Sequence, residues 1–399
     1  MLDEKRIVGT QLAPYLRNVD VQWERINTID LPLMDFSEGD RKRYALRDGD
    51  LLVCEGGEVG RTAIWKGEID ECFFQKAVHR LRPTSEEDEP RYFRYFMRMA
   101  VDAGLFTVRN ASTIAHLTAE QLRIVRFPAP PRAQQRAIAD YLDRETGRLD
   151  ALLVAKERVV GLLVEKRRAI ITRAVTRGLD PNAPLRDSGI PWLGAIPAHW
   201  ELKRLKHVGR AIIGLTFDPA DTVTDGSGVL VLRASNVRDQ RIVLDDNLYV
   251  SMEIPDDLRT REGDILICSR SGSRALIGKN ALIDRDSADH SFGAFMTVFR
   301  GPHNAFLFYV FNSPLFEYQA GAFSTSTINQ LTVETLNGME IPLPSQSEQE
   351  AIVEQLRESL ARLDSVAVAI ERTIALLKER RAALITAAVT GQIDLEAVA

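Results

Sequence analysis

The stretch PRAQQRAIADYLDRETGRLDALLVAKERVVGLLVEKRRAIITRAVTRG, residues 131–178, decides the fold. It returns as SQSEQEAIVEQLRESLARLDSVAVAIERTIALLKERRAALITAAVT at residues 345–390. At a constant shift of 214 residues, 112–176 and 326–390 align without a gap, with 30 of 65 positions identical. A repeat of this quality sets the architecture before any motif does. Each copy reads as one long helix. Leu356, Leu363, Ile370, Leu377 and Leu384 recur every seven residues, and Leu142, Leu149, Leu163 and Ile170 hold the matching places around Lys156. A sustained seven-residue period keeps one apolar seam against a partner helix and predicts a coiled coil. At 1.5 Å per residue, about 45 residues span roughly 65–70 Å. Pro131 suits a first helical turn, where its missing N–H costs nothing. Ser347 followed by Glu350 predicts a capping box at the start of the second helix.

Outward from the helices, the pattern predicts an α+β chain. Its parts are a mainly-β domain over 1–130, a helix over 131–178, a linker over 179–198, a second mainly-β domain over 199–344, a helix over 345–391 and a tail over 392–399. The domains share landmarks. Residues 46–54 (LRDGDLLVC) and 261–268 (REGDILIC) are turns into buried strands, and glycine loops follow at 55–61 and 269–279. Apolar helices are expected at 93–103 and 306–315, with short helices at 118–122 and 332–336. Gly178–Ile196, rich in Gly and Pro, reads as connecting chain.

Composition sets limits. Forty-five per cent apolar residues suffice for real cores, and no apolar run reaches the length of a membrane span. Three cysteines imply no disulfide framework, which fits the cytoplasm. A net charge of −5 does not advertise a nucleic-acid binder, but the placement of cations matters more than their sum.

Catalytic patterns are weak. Gly272–Asn280 imitates a phosphate loop, but Asn280 stands where a hydroxyl should hold the metal. Cys54 and Cys268 lack a second Cys or a His at metal spacing and read as buried structural thiols. The histidines form no zinc or triad pattern, and Asp256, Asp257 and Glu262 read as an acidic turn. Groups able to meet DNA are more evident. Arg61, Arg270, Arg274 and Lys279 sit where glycine loops can present them to phosphates; the competing reading is a plain hairpin with solvated cations. Arg17, Asn18 and Gln22 in the first domain, and Arg233, Ser235, Asn236 and Arg238 in the second, follow strands and carry the amide and guanidinium groups that pair with base edges. Ser112, Thr113, Ser326, Thr327, Asn329 and Gln330 form polar loops suited to phosphate or base.

The whole pattern resembles the specificity (S) subunit of type I restriction–modification systems. The residues that carry the resemblance are Ile196-Pro-Ala-His-Trp200, Gly263-Asp-Ile-Leu266 with Gly278-Lys279, Ser326-Thr-Ile328 with Leu331-Thr332, 341–350 (IPLPSQSEQE) and 377–386 (LKERRAALIT). The resemblance implies a non-catalytic DNA-reading subunit in which two target recognition domains each read half of a split double-stranded sequence. It implies that the two helices pair antiparallel, space the domains and dock two methyltransferase subunits, with restriction/translocase subunits joining through the complex. S-adenosylmethionine, ATP and Mg would belong to those partners, and no membrane is involved. The rival class is a coiled-coil adaptor whose β domains bind protein. The second domain opens with 196–208 (IPAHWELKRLKHV), whose counterpart at the same shift falls before Met1. The expectation is a first domain short of roughly 20–30 opening residues, either from a start codon placed too far downstream, the favoured explanation, or in a genuinely shortened protein.

Overall fold

In the computed structural model, Arg132–Arg177 forms one helix and Gln346–Val389 the other. The structure describes residues 11–85, 87–106, 116–322 and 330–394. Pro131 stands just outside the first helix, its carbonyl accepting from the amides of Gln134 and Gln135. Ser347, expected as a cap, lies inside the first turn of the second helix. The turn closes earlier because Ser345 O accepts the Gln349 amide at 2.9 Å, while Gln349 Nε2 donates back to Pro344 O at 2.8 Å. Gln135 does the same to Pro130 O at 2.8 Å. Both glutamines are buried, so an incoming carbonyl is satisfied where water cannot reach it.

The chain divides into two units. Unit 1 comprises Met1–Arg158 with Ile370–Ala399, and unit 2 comprises Val159–Ala369. Each therefore holds one β domain and part of both long helices. In unit 1, Ile138 and Leu142 share a core with Ile385, Ala388 and Val389. In unit 2, Ile171, Ala174 and Val175 share a core with Ile352, Val353, Leu356 and Leu360. Along the expected seam, Leu142, Leu149 and Leu356 are buried, and Leu163, Ile170, Leu363, Ile370, Leu377 and Leu384 are half-buried.

Each β domain is built on one central strand that is buried on both faces. Leu51–Cys54 and Ile265–Cys268 are continuous apolar runs, as a doubly covered strand requires. In unit 1, Leu51 and Val53 face the helix Pro90–Asp102, and Leu52 and Cys54 face a second core with Trp65 and Phe74. The equivalent residues of unit 2 divide the same way between two cores. The central strand pairs antiparallel with Thr62–Ile64 and Val78–Leu81 in unit 1, and with Asn280–Leu282 and Met296–Arg300 in unit 2.

Below each strand lies a matched ion pair. Asp50 holds Arg82 through two bonds of 2.6 Å, and Asp264 holds Arg300 at 2.8 and 2.6 Å. Their common place identifies Leu81 with Phe299 and Arg82 with Arg300, four residues beyond the helical repeat shift. The three cysteines are free and buried, and burial pushes the Cys72 thiol up to about 12.

Three expectations change. The apolar helix at 306–315 is two helices, Asn304–Phe311 and Pro314–Ala322, because Pro314 starts a new turn after Asn312 and Ser313. The linker contains an antiparallel pair, Leu185–Asp187 with Ala195–Pro197, and buries Ile196 in the core of unit 2. The short helices run Ala119–Ile124 and Val333–Gly338, capped by the Thr118 and Thr332 hydroxyls. Among the described residues, no helix is long and apolar enough to cross a membrane.

Candidate nucleic-acid interface

Both units build the same loop from different residues. In unit 1 the strand Leu12–Leu16 leads through Arg17 into a single 3-10 turn, Asn18–Asp20, and then a hairpin, Val21–Gln22 with Arg25–Ile26. In unit 2, Val229–Leu232 leads through Arg233 into Ala234–Asn236 and the hairpin Val237–Arg238 with Arg241–Ile242. The lead strand is fixed by parallel pairing to Phe73–Phe74 in one unit and Ser291–Phe292 in the other. The turn is locked from inside. Asp20 accepts the Arg17 amide at 2.7 Å, and Asn236 Oδ1 accepts the Arg233 amide at 2.9 Å; both acceptors are fully buried.

What the loops present differs. The Arg17 guanidinium lies back on Asp20 through two bonds of 2.9 Å, and this raises its pKa further. Gln22 Nε2 donates to Val19 O at 2.7 Å. Arg233 reaches Asp246 at 3.1 Å and Arg238 reaches Asp245 at 2.5 Å, both partly exposed. The Ser235 hydroxyl and Arg233 Nε are buried without a partner among the described residues. Asn236 Nδ2 is used inward, on the carbonyls of Val243 and Asp246.

The glycine loops diverge as well. Arg61 is 13% exposed and donates to Asn18 O at 2.9 Å and Asn18 Oδ1 at 3.1 Å, while Asn18 Nδ2 bonds Gly56 O at 2.9 Å. This arginine is spent closing its own loop. In unit 2, Arg270 donates to Gln330 Oε1 at 2.8 Å and lies 5.6 Å from the centre of the Phe295 ring, which is 59% exposed. Phe217, Arg233, Ser235, Arg270 and Phe295 line one hollow of about 630 Å³. Arg167, Arg168, Arg274 and Lys279 line another of about 560 Å³, with Arg274 exposed and Lys279 half-buried. Ser112, Thr113, Ser326, Thr327 and Asn329 lie outside the described residues. A concave surface that pairs an exposed aromatic ring with guanidinium groups suits stacking and phosphate contact at once.

Residues 14–153 and 197–375 match the family described as the type I restriction modification DNA specificity domain. The chain belongs to that family. It is 22% identical over 373 residues to the type I restriction enzyme EcoBI specificity subunit of Escherichia coli, covering 88% of this chain and 75% of the relative. A chain assigned as the MjaX type I restriction enzyme specificity subunit of Methanocaldococcus jannaschii is 23% identical over 350 residues, covering 81% and 74%. Among solved structures, a chain from a study of assembly and conformational transition in the type I R-M system has a TM-score of 0.75 at 18% identity, covering 95% of this chain and 92% of that one. The HsdS subunit from Thermoanaerobacter tengcongensis has a TM-score of 0.53 at 17% identity, covering 96% and 92%.

In this specificity subunit each hairpin is tied to the long helices by one arginine. Arg381 of the second helix bonds Asp150 of the first at 2.9 Å and Glu24 of the unit 1 hairpin at 2.5 Å. Arg167 of the first helix bonds Asp364 of the second at 2.6 Å and Gln240 of the unit 2 hairpin at 3.3 Å. Arg167 and Arg381, like Asp150 and Asp364, stand one repeat shift apart. Glu24 and Gln240 occupy the same turn position, both with left-handed backbone at φ 63° and 64°. Reading the sequence for DNA contacts missed this pair, although both arginines are identical in the repeat.

Proposed function

We propose that each unit reads one half of a bipartite double-stranded DNA target, with its hairpin loop and glycine loop forming the reading surface. The observation that carries this reading is the loop built twice. The buried acceptor, the lead strand with its Arg17 or Arg233, and the arginine tether recur, while the hairpin side chain changes from Gln22 to Arg238. A fixed frame with variable outward donors is what two different half-sites demand. In this reading Arg238, Arg270, Arg274 and Lys279 supply phosphate and base contacts in unit 2, together with Ser326, Thr327, Asn329 and Gln330. Arg17, Gln22, Ser112 and Thr113 serve unit 1, and Arg61 and Asn18 shape its loop.

The long helices act as an antiparallel coiled-coil spacer and as the dock for two methyltransferase subunits, with restriction/translocase subunits joining through the complex. Exposed apolar side chains on the helices support docking: Leu152, Val154 and Leu376 in unit 1, and Val159, Leu162, Val164, Val366 and Val368 in unit 2. Apolar surface of that kind is what a protein partner covers. S-adenosylmethionine, ATP and Mg are held by the partners, and the chain itself is non-catalytic and works in the cytoplasm.

The test is a loop exchange. Replacing residues 233–238 by residues 17–22, within the assembled methyltransferase, alters one half of the methylated sequence and leaves the other half and the spacer unchanged. A change in both halves, or in neither, defeats the reading. Binding should also weaken steeply with salt, as phosphate neutralisation requires.

A further inference from the structure

Phe295 stands in the turn that enters Met296–Arg300, a strand paired on one side by the central strand and on the other by Arg210–Ile213. The Phe295 carbonyl accepts the Ser269 amide at 2.9 Å, and Ser269 O accepts the Leu331 amide at 2.7 Å. These bonds fix the backbone that carries Arg270 beside Phe295. Unit 1 makes the same two bonds. Ala77 O accepts the Glu55 amide at 3.0 Å, and Glu55 O accepts the Leu117 amide at 2.7 Å. Gly56 thus holds the place of Arg270, and Ala77 the place of Phe295.

On this shared frame unit 1 carries nothing larger than a methyl group. There Asn18 Nδ2 closes on the carbonyls of Gly56 and Ala77, at 2.9 and 3.3 Å. Unit 2 carries a ring and a cation instead. The Phe295 ring is 59% exposed and, among the described residues, belongs to none of the apolar cores of its unit. Arg270 is exposed too, 5.6 Å from the ring centre, and its Nη2 donates to Gln330 Oε1 at 2.8 Å. Arg233 and Arg238 nearby each meet an aspartate. Arg270 meets no carboxylate at that range among the described residues.

We propose that Arg270 and Phe295 together read one thymine–guanine step in the half-site of unit 2, a contact for which unit 1 has no counterpart. This rests on the DNA-reading role given to these loops above. In the major groove guanine presents N7 and O6 as paired acceptors, which a guanidinium matches with two N–H groups. Thymine presents a methyl group that an aromatic side chain covers. Base pairs follow one another at about 3.4 Å, so two groups 5.6 Å apart reach neighbouring base edges. Gln330 takes one hydrogen of Nη2, which leaves Nη1 and the other Nη2 hydrogen for guanine. The ring and Gln330 hold the guanidinium in place beforehand, so less rotamer freedom is lost on binding. A phosphate would use the charge and leave the ring without a role.

The experiment uses the assembled methyltransferase and duplexes that carry its own target. The loop exchange at residues 233–238 identifies the half-site of unit 2. Within it, each guanine is replaced in turn by 7-deazaguanine, which lacks N7, and each thymine by uracil, which lacks the methyl group. One guanine should show about a tenfold loss of affinity, and the thymine next to it about a fourfold loss. Arg270→Lys, which keeps the charge, should abolish the guanine effect. Phe295→Ala should abolish the thymine effect and leave the urea midpoint of unit 2 unchanged. A half-site without such a step, or base effects that persist in these variants, overturns the proposal. So does an Arg270→Lys complex that binds as tightly as the parent, as a phosphate contact would allow. A urea midpoint lowered by Phe295→Ala overturns it as well, because the ring then packs on its own chain. A loop exchange that alters neither half-site is a separate result, which defeats the broader reading and this proposal with it.

Discussion

Met296–Arg300 in unit 2 and Val78–Leu81 in unit 1 pair with their central strands in the same register, residue for residue. One is covered on its far side, and the other has no strand on its far side among the described residues. The consequence reaches the side chains. Phe299 is sealed, while Leu81 at the same place meets solvent. The cross-strand register therefore comes from the central strand and the buried ion pair beneath it, which both units possess. Full burial of the helix-facing core comes from the covering strands, which only unit 2 shows among the described residues. Two chemically similar surfaces can share a frame and still differ in how much apolar area they remove from water.

The widest separation between the units should come from truncating that shared position. Phe299→Ala should cost about 3–5 kcal/mol, because a fully enclosed ring leaves a cavity. Leu81→Ala should cost about 1 kcal/mol or less, because its surroundings are open. Urea denaturation with hydrogen exchange read separately for each unit measures both. Equal costs would mean that the exposed edge is covered in solution.

Leu363→Pro removes a hydrogen bond inside the second long helix, at about 3 kcal/mol or more. Leu363 is half-buried against the core of unit 2, so exchange should rise there first. Co-purification of the methyltransferase subunit should fall. Full recovery of the partner with Leu363→Pro would locate the dock elsewhere.

The arginine tethers should differ in strength. Arg381 is 12% exposed and serves two carboxylates, so Arg381→Ala should destabilise unit 1 by about 2 kcal/mol. Arg167 meets one exposed carboxylate and one neutral amide, and Arg167→Ala should cost about 0.5 kcal/mol. Each change should loosen reading of its own half-site, seen as a drop in methylation stringency. Matching losses would show that the charge of Glu24 contributes nothing.

The smallest effect separates the units by pH. Asp143 joins the first long helix to the helix Pro90–Asp102 in unit 1, accepting from Tyr95, Arg94 and Arg91 at 2.7–2.9 Å. Burial acts to raise its pKa, but the bonds from Tyr95 and the two arginines outweigh it and hold the carboxyl below its ordinary value. A depressed folded pKa gives stability that is complete above the unfolded value, about 3.9, and is lost as pH falls through the folded one. Asp143→Asn should remove about 1 kcal/mol at neutral pH and flatten the acid limb of unit 1 alone. In unit 2 the equivalent position is Arg357, which faces Tyr309, so this place carries no carboxyl there.

Much of this was legible from residues. The repeat located both helices, and the seven-residue period marked the side chains that are buried or half-buried along them. The short helices expected at 118–122 and 332–336 are present and are capped by the Thr118 and Thr332 hydroxyls, a local use that suits a hydroxyl before a helix. Gly49 and Gly263, both at left-handed φ near 85°, marked the turns into the central strands. The functional loops were harder. Asn18 and Arg61 look like base and phosphate readers in sequence, yet they bond each other, because Gly56, Ala77 and Glu58 converge on them only in the fold. Glu24 and Arg381 lie 357 residues apart, and no local pattern joins them.

The sequence by itself determined the repeat, the two long helices, the doubly buried strands and the kinship with DNA specificity subunits. These follow from periodicity and local propensity, which act over neighbouring residues. Only the tertiary structure decided which arginines tether the hairpins and which polar groups of the loops turn inward. Those outcomes depend on which distant groups arrive at the same place and on whether a buried polar atom finds a partner there, and one-dimensional order carries no record of either.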